Sequence, residues 1–388
     1  MKAFKTLAAV AALSLGLGAP AMAEDGVSDT EIKLGGAHDL SGIFAPFSVP
    51  AVKAAQLYFD EVNAAGGVHG RKITYIVEDH GYQVPKAVQA ANKLVNRDKV
   101  FAMLLNLGTP TNIAMFKLLE PKGIPNVSPL TSARQMVNPP APWKFAGTAS
   151  YYDAVKAGTE YMATDMGVKT FCLMYLPTDF GKEIEMAVKE GVAASGASFG
   201  IETQHKPDET DFTGALGKVK AAGCNTVGLA LGVSQTINVV ATANKLGIDV
   251  DFLLSNAGFH TVVAKGLAAQ GVMGGVYAAA GWQDLEARMG NPTVAKWVKS
   301  YTDATGEKFP GTGALLGRSA AELIVAGFEA AGPDLTRESF IAAMETLQFA
   351  DEVAGNNVNM SADNHVAATE IFISAVENGS WKLMKTLK

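Results

Sequence analysis

The sequence has few of the residues on which common catalytic and metal sites depend. It contains only two cysteines and six histidines in 388 residues, and the histidines show neither HxxxH nor HExxH spacing. No GxxxxGK[ST] phosphate loop occurs, and no GxSxG nucleophile elbow joins a strand to a helix. We therefore expect no metal, no cofactor and no nucleotide-dependent catalysis.

Long apolar runs are also scarce, and the one near the start has the features of an export signal. Lys2 and Lys5 precede an apolar stretch from residue 6 to 18, and Ala21-Met22-Ala23 has the small-x-small pattern of a cleavage site. The alternative, an N-terminal membrane anchor, needs a longer run. The sequence predicts a signal peptide over residues 1–23, cleavage after Ala23, a periplasmic location and no direct membrane insertion.

Lysine and arginine together are fewer than aspartate and glutamate. Removing residues 1–23 takes away two lysines and no acid, which changes the formal charge from −6 to −8. A mildly acidic exported chain gives no electrostatic reason to expect nucleic acid or anionic lipid as a partner. The 365 residues that remain exceed what one core usually supports, so two lobes are expected.

The two cysteines leave a disulfide as one of two options. Cys172 lies within the strand-like segment TFCLMYL, and Cys224 lies at the turn AAGCNTV before another strand-like segment. An exported protein can oxidise such a pair. Offset parallel strands would hold the two residues too far apart for a bond, so we expect two buried thiols.

The chain alternates short apolar segments with longer amphipathic ones, and the pattern repeats. Strand-like EIKLGGAH, KITYIVED and VFAMLLNL alternate with helix-like segments before residue 150, and TFCLMYL, SFGIETQ and TVGLAL do so after it. Repeated β-α units are typical of a parallel sheet covered by helices. The sequence predicts an α/β fold of two doubly wound lobes, with ligands bound where the strands end.

Two polar loops lie at such strand ends. GTPTN (108–112) supplies Thr109 and the N–H groups of a helix that starts there, and SPLTSA (128–133) supplies Ser128, Thr131 and Ser132. Hydroxyls and helix N–H groups together suit a carboxylate without any arginine. The alternative is that these residues only cap helices.

Aromatic residues also fall at predicted loop ends. Any one of them is explained by packing, but several together are consistent with walls around a small apolar ligand. They are Phe47, Tyr151, Tyr152, Phe180 and Trp282.

These segments resemble a known family. DLSGIFAPFSVPAVKAAQLYFDEVNAAGGVHGRKI, KAVQAANKLVNRDKV and GIPNVSPLTSA are similar to periplasmic solute-binding proteins of ABC importers, of the leucine/isoleucine/valine-binding type. The resemblance implies a type I periplasmic binding protein, with two lobes joined by three hinge crossings that close on a ligand. It implies an N-terminal lobe over 24–149 and 280–355, and a C-terminal lobe over 150–279 and 356–388.

The resemblance also implies a ligand site. Thr109, beside Gly108, matches the family's hydroxyl for the ligand carboxylate, and Leu130 and Ser132 match its partners in the next loop. Phe47 and Phe180 match aromatic wall positions, and Tyr151 lies at the first crossing. Gly232 and Asn256 stand where amino-acid binders often carry a tyrosine and an acid for the ligand's ammonium group. The candidate site is therefore Thr109, Gly108, Leu130, Ser132, Phe47, Tyr151, Phe180, Gly232 and Asn256.

Asn256 shapes the expected function, because a neutral amide does not compensate a buried ammonium. We expect a small-molecule carboxylate such as an aromatic or aliphatic acid, a keto acid or an amide, delivered to an inner-membrane ABC permease without catalysis. An amino acid is the alternative ligand if Asp179 or Asp39 supplies the negative charge. A periplasmic sensor that presents its closed form to a membrane receptor is the alternative. A small-amide or ester hydrolase is a third option. It would need a base beside Ser41, Thr109 or Ser132; no histidine is adjacent to any of them in sequence, although His38 and His260 could approach the crevice.

Overall fold

The computed structural model describes residues 24–387, which form two α/β lobes. The predicted signal peptide and its cleavage after Ala23 lie outside the described residues. The strands are β1 (Glu31–His38), β2 (Lys72–Asp79), β3 (Ala102–Leu104), β4 (Asn126–Val127), β5 (Lys144–Thr148), β6 (Thr170–Tyr175), β7 (Ser198–Gln204), β8 (Thr226–Ala230), β9 (Asp251–Leu254), β10 (Val276–Ala280), β11 (Gln348–Asp351), β12 (Asn356–Asn359), β13 (Val366–Ala368), β14 (Ile371–Glu377) and β15 (Ser380–Leu387). The helices are α1 (Ala45–Ala64), α2 (Val84–Asn92), α3 (Thr109–Leu119), α4 (Tyr151–Thr164), α5 (Asp179–Ser195), α6 (Thr213–Ala221), α7 (Val233–Lys245), α8 (Thr261–Ala269), α9 (Pro292–Thr305), α10 (Thr312–Ala331) and α11 (Arg337–Met344).

Each lobe is built on one sheet. The first sheet has the order β13-β5-β4-β3-β1-β2 with every pairing parallel. The second has the order β15-β14-β10-β9-β8-β6-β7, in which β14 and β15 pair antiparallel at one side. The predicted α/β class and the two doubly wound lobes are confirmed. Loops after β3 and β4 of the first sheet and after β9 and β10 of the second line one shared cavity.

The chain passes between the two sheets three times, after β5, after β10 and after β13. We expected the last return to the second lobe near Gly355. Instead, Val366 and Ala368 pair with Ala146 and Thr148 of β5, so the return falls between Ala368 and Ile371. Three residues of edge strand carry too little periodicity to be recognised from sequence.

Two long helices pack against the first sheet. α1 and α10 pack side by side, with Phe59, Ala321 and Phe328 buried against the first sheet. They approach closely because a Cβ added at Gly317 would lie 2.1 Å from the Ala51 carbonyl oxygen. Any side chain at that position would push α10 away from α1, so glycine sets where α10 lies.

The expectation of two free thiols is wrong, because Cys172 and Cys224 form a disulfide with their Cα atoms 5.9 Å apart. β6 and β8 are neighbours in the second sheet, which brings Cys224, just before β8, alongside Cys172 in β6. On the next strand a Cβ added at Gly200 would lie 2.8 Å from the Cys172 sulfur, so glycine leaves room for the bond. Strand order, which local sequence patterns do not contain, decided the pairing.

A hairpin joins β14 to β15, and its turn residues Asn378 and Gly379 both have positive φ, as an Asn-Gly turn requires. None of the helices among residues 24–387 combines the length and the apolar character needed to cross a bilayer.

The disulfide gives the first testable prediction. Replacing both Cys172 and Cys224 with alanine should lower the free energy of unfolding by roughly 2–4 kcal/mol, because the bond closes a long loop. Urea unfolding of the oxidised protein and of the double variant measures this difference. Reductant should destabilise the wild type and leave the double variant unchanged. Two free thiols in the unfolded, unreduced wild type would contradict the assignment.

Candidate ligand-binding site

A cavity of ≈ 90 Å³ lies where loops of both lobes meet. In open α/β sheets, ligands bind outside the carboxyl ends of the strands, and this cavity has that location. Its part between the lobes, which we call the cleft chamber, is lined by Phe44, Phe47, Tyr82, Leu107, Thr109, Pro129, Leu130, Thr131, Ser132, Thr148, Tyr151, Phe180, Asn256, Ala257 and Trp282.

Three buried asparagines hold the loops on the first-lobe side of the chamber. Asn106, just after β3, accepts from the Ala37 N–H of β1 at 2.8 Å and donates to Asn126 of β4 at 2.8 Å. Asn126 in turn donates to Asn112 of α3, whose amide also donates to the Gly108 carbonyl at 2.7 Å. Side-chain amides that satisfy one another in this way tie three strand ends and one helix start into a single arrangement.

This arrangement presents Thr109 to the chamber. Thr109 is the first residue of α3, and its Oγ1 lies 2.7 Å from the Thr131 Oγ1 across the neighbouring loop. The first N–H groups of a helix have no partner within the helix, so those of Thr109 and Thr111 remain available at this end. Hydroxyls beside a helix N-terminus form a suitable cradle for a carboxylate.

A second set of polar side chains on the chamber wall joins the two lobes. The Ser132 Oγ lies 3.1 Å from the Thr148 Oγ1, and Asn256 of the second lobe donates to the same Ser132 oxygen at 3.2 Å. Asn256 is 2 % exposed, and within residues 24–387 its Oδ1 has no hydrogen-bond partner. The Trp282 indole N–H is similarly unpaired among the described residues. A ligand that fills the chamber would satisfy both atoms.

Aromatic rings form part of the chamber wall. Phe44 of the first lobe packs against Tyr82 at 4.7 Å and against Phe180 of the second lobe at 6.0 Å, measured between ring centroids. Tyr151 packs edge-on against Phe180 at 5.2 Å. Burial raises the pKa of Tyr151 to about 12, so its hydroxyl keeps its proton at neutral pH. Tyr152, by contrast, lies under the Arg134 guanidinium, outside the chamber.

The structure brings most of the sequence-predicted site residues together. Thr109, Leu130, Ser132, Phe47, Tyr151, Phe180 and Asn256 all line the chamber.

Gly108 and Gly232 lie outside the chamber wall. Gly108 has φ +96, and an added Cβ would lie 2.7 Å from the Tyr82 ring, so it permits the turn into α3 without contacting the cavity. Gly232 precedes α7, where an added Cβ would meet Gln235 and Ile43.

Sequence patterns missed the other part of the cavity, which we call the inner branch. It runs from the chamber between α10 and the first sheet. Its apolar wall is Leu105, Leu316, Ala320, Leu323, Val358 and Ala367, and its remaining lining residues are Ser128, Gly147, Ser319, Asp351, Ala354 and Asn356. Only Ser128 belongs to a loop that the sequence singled out. The others lie on α10, in or next to strands β3, β5 and β13, and on the antiparallel β11–β12 pair with the turn that joins its strands, with no distinctive motif.

Contacts between the lobes flank the chamber. On one side the Arg134 N–H donates to both oxygens of Glu183, at 2.9 and 3.1 Å. On the other side the His260 ring lies 4.8 Å from the Phe47 ring and 3.3 Å from the Pro46 carbonyl oxygen. Burial lowers the pKa of His260 to about 4, so the ring is neutral at pH 7. These contacts hold the two lobes against each other around the cavity.

Charge is sparse on the cavity wall. Among residues 24–387, Asp351 is the one ionisable acid or base that lines it, apart from tyrosine hydroxyls. No cluster of three or more His, Cys, Asp or Glu side chains suited to a metal ion occurs in the described part of the chain. An anion in the chamber would therefore be held by hydroxyls and N–H groups.

Comparison with known proteins gives a consistent family. A family model described as periplasmic binding protein matches residues 31–380. The chain is 23% identical over 201 residues to an amino acid binding protein of Pseudomonas aeruginosa, across 52% of this chain and 53% of that protein. The chain thus spans about half the length of the curated relatives it matches.

Two solved structures illustrate the similarity of fold. A fatty acid ABC transporter substrate-binding protein from Thermomonospora curvata superimposes with a TM-score of 0.83 at 25% identity, covering 93% of each chain. A solute-binding protein of an ABC transporter from R. palustris, in complex with benzoate, has a TM-score of 0.81 at 19% identity, covering 92% of this chain and 96% of that one.

The Glu183 contact gives a pH-dependent prediction. Burial raises the pKa of Glu183 from 4.5 to about 7, against the opposing Arg134 N–H bonds. Between pH 4.5 and about pH 7, the folded protein therefore binds more protons than the unfolded chain. The contribution of Glu183 to the free energy of unfolding is full below pH 4.5 and is lost as the pH rises to about 7. As the pH rises across that range, the free energy of unfolding of the wild type should fall relative to that of Glu183→Gln.

Urea unfolding at a series of pH values measures this difference. Glu190→Gln, which removes an exposed carboxylate from the same helix, is the matched control and should keep the wild-type pH dependence. A constant difference between wild type and Glu183→Gln from pH 4.5 to pH 7 would contradict the raised pKa.

Proposed function

We propose that this chain, which belongs to the periplasmic binding protein family, is the periplasmic solute-binding component of an ABC importer and binds a small carboxylate without transforming it. The family expected from the sequence is confirmed by the match over residues 31–380. The proposed partners are the carboxylate ligand and an inner-membrane ABC permease. The proposed ligand class is an aromatic or aliphatic acid, a keto acid or an amide.

The observation that carries the proposal is Asn256. Its side chain donates to the Ser132 hydroxyl on the chamber wall, and its Oδ1, which has no partner within residues 24–387, is a neutral acceptor. A buried ammonium needs a compensating negative charge, and leaving one uncompensated costs several kcal/mol. A ligand whose second end is apolar or neutral avoids that cost. The chamber therefore suits a carboxylate without an α-ammonium group.

The names of similar proteins are compatible with this ligand class. One structural neighbour is named for fatty acids and another holds benzoate, whereas the Pseudomonas relative is named for amino acids. The first two ligands are carboxylates that lack an ammonium group. The proposal therefore rests on the chamber chemistry, and the neighbours supply examples of the class.

The contacts between the lobes support a closing mechanism. The Arg134–Glu183 and His260–Pro46 contacts join the lobes on either side of the chamber. A ligand that contacts Thr109 on one lobe and Asn256 on the other favours the arrangement in which these contacts form. That closed form is the state a permease would recognise.

Calorimetric titration of ligand-free protein tests the ligand class. Benzoate and 4-methyl-2-oxopentanoate should bind, whereas leucine and valine should bind at least tenfold more weakly, since their ammonium lacks a partner. Asn256→Asp adds a negative charge with almost no change in shape, so it should weaken benzoate binding and strengthen leucine binding. Micromolar binding of leucine or valine, with none of either ammonium-free acid, would refute the proposed class.

A second prediction concerns the carboxylate cradle. Thr109→Ala combined with Ser132→Ala should weaken benzoate binding by at least tenfold, because each lost hydrogen bond to a charged group is worth roughly 1.5–3 kcal/mol and the two are not additive. Thr164→Ala removes an exposed threonine at the end of α4 and should leave affinity unchanged. An affinity of the double variant within about twofold of wild type would mean that the carboxylate binds elsewhere.

A further inference from the structure

The cavity does not end at the residues that would hold a carboxylate. The inner branch continues from the cleft chamber, with Leu105, just after β3, and Ala367 of β13 on one side and Leu316, Ala320 and Leu323 of α10 on the other. Small side chains at Ala320 and Ala367 leave this passage open. A ligand group that lies against these apolar walls gains dispersion contacts with each of them.

The inner branch also contains polar groups without partners. Ser128 is 6 % exposed, and its Oγ has no hydrogen-bond partner among residues 24–387. The same is true of the Ser319 Oγ on α10, within the part of the chain that the structure describes. Buried hydroxyls are normally paired, and because these two line the same cavity they are available to a polar group bound there.

Asp351 adds an acceptor to this wall. Its carboxylate is 4 % exposed, and its Oδ1 accepts from the Val353 and Ala354 N–H groups at 3.0 and 2.9 Å. The Arg288 guanidinium donates to the neighbouring Val353 carbonyl at 2.7 Å, which places a positive charge nearby. The negative charge of Asp351 is therefore already partly compensated, and the branch does not require a cation.

We propose that the natural ligand is an elongated hydroxy acid that occupies both parts of the cavity. Its carboxylate lies at Thr109 and Ser132, its apolar stem passes between α10 and the first sheet, and its far hydroxyl pairs with Ser128 and Ser319. This inference rests on the proposed function, because it takes the position of the carboxylate from it. It adds the length of the ligand and the nature of its other end.

A hydroxyl fits the branch better than an ammonium group does. Burying a neutral hydroxyl that finds a partner costs little, whereas a buried ammonium needs an uncompensated negative charge close to it. Serine hydroxyls both donate and accept, and so does an alcohol, so the two unpaired serines and the ligand can satisfy one another.

The size of the cavity limits the stem. One water-sized group needs roughly 10–15 Å³ by this measure, so ≈ 90 Å³ holds roughly six to nine such groups. A six-carbon chain with a carboxylate at one end and a hydroxyl at the other has about that size. 6-Hydroxyhexanoate is therefore the probe, with hexanoate as its counterpart without the hydroxyl.

Titration calorimetry of ligand-free wild type with hexanoate, 6-hydroxyhexanoate, 6-aminohexanoate and benzoate tests the inference. 6-Hydroxyhexanoate should bind about tenfold more tightly than hexanoate, because its hydroxyl forms buried hydrogen bonds with Ser128 and Ser319 that hexanoate cannot form. Equal affinity of these two acids would overturn the hydroxyl assignment. Tighter binding of 6-aminohexanoate than of 6-hydroxyhexanoate would also overturn it, since the branch would then prefer a cation.

Two variants locate the binding in the inner branch. Ser319→Ala should remove the preference for 6-hydroxyhexanoate and leave hexanoate affinity within about twofold, whereas Ser361→Ala, at an exposed serine, should change neither. Ala320→Leu fills the passage and should weaken both six-carbon acids by at least tenfold. Ala326→Leu makes the same change on the same helix away from the cavity lining and serves as its control. Thermal unfolding checks that each variant is folded.

The outcomes separate this inference from the proposed function. Benzoate binding that responds to Thr109→Ala with Ser132→Ala, together with six-carbon acid binding that is insensitive to Ser319→Ala and Ala320→Leu, would refute the inner-branch ligand and leave the proposed function standing. Failure of all four carboxylates to bind, with leucine binding instead, would refute both. If Ala320→Leu does not fold, the Ser319→Ala comparison decides the question.

Discussion

The arrangement of the site depends on the hydrogen bonds among Asn106, Asn112 and Asn126. These three side chains are buried, and each uses its amide to satisfy a group on a different element. A buried amide without partners costs free energy, so the strand ends and the start of α3 are stable together only in this mutual position. The Thr109 and Thr131 hydroxyls, and the loop that leads to Ser132, lie where this network places them.

A second constraint is the close contact between α1 and α10. Because Gly317 allows α10 to lie against the Ala51 backbone, one side of α10 contacts α1 and another side faces the first sheet. The small side chains of Ala320 and Ala367 then leave room for the inner branch between α10 and the first sheet. The cleft chamber and the inner branch thus depend on different interactions, an amide network at the strand ends and a close helix pair behind the sheet.

Sequence patterns predicted the parts of the site that lie on loops after strands. Thr109 and Ser132 stand out because small polar residues interrupt a strand-to-helix pattern, and the family resemblance gave Asn256 its significance. The inner branch has no such signal, because Leu323 and Ala320 have the spacing of any buried helix face. The disulfide was predicted wrongly for a related reason, since the pairing of Cys172 with Cys224 depends on which strands are neighbours.

The sequence by itself determined the α/β class, the two repeated halves, the family and the polar loops, because these depend on local periodicity and on short segments of chain. Only the tertiary structure decided which strands pair, that β13 completes the first sheet, that Glu183 meets Arg134 between the lobes, and that the cavity extends beneath α10. The physical reason is the same in each case. These features arise from contacts between residues far apart in the chain, and their existence depends on the packing of whole helices and sheets.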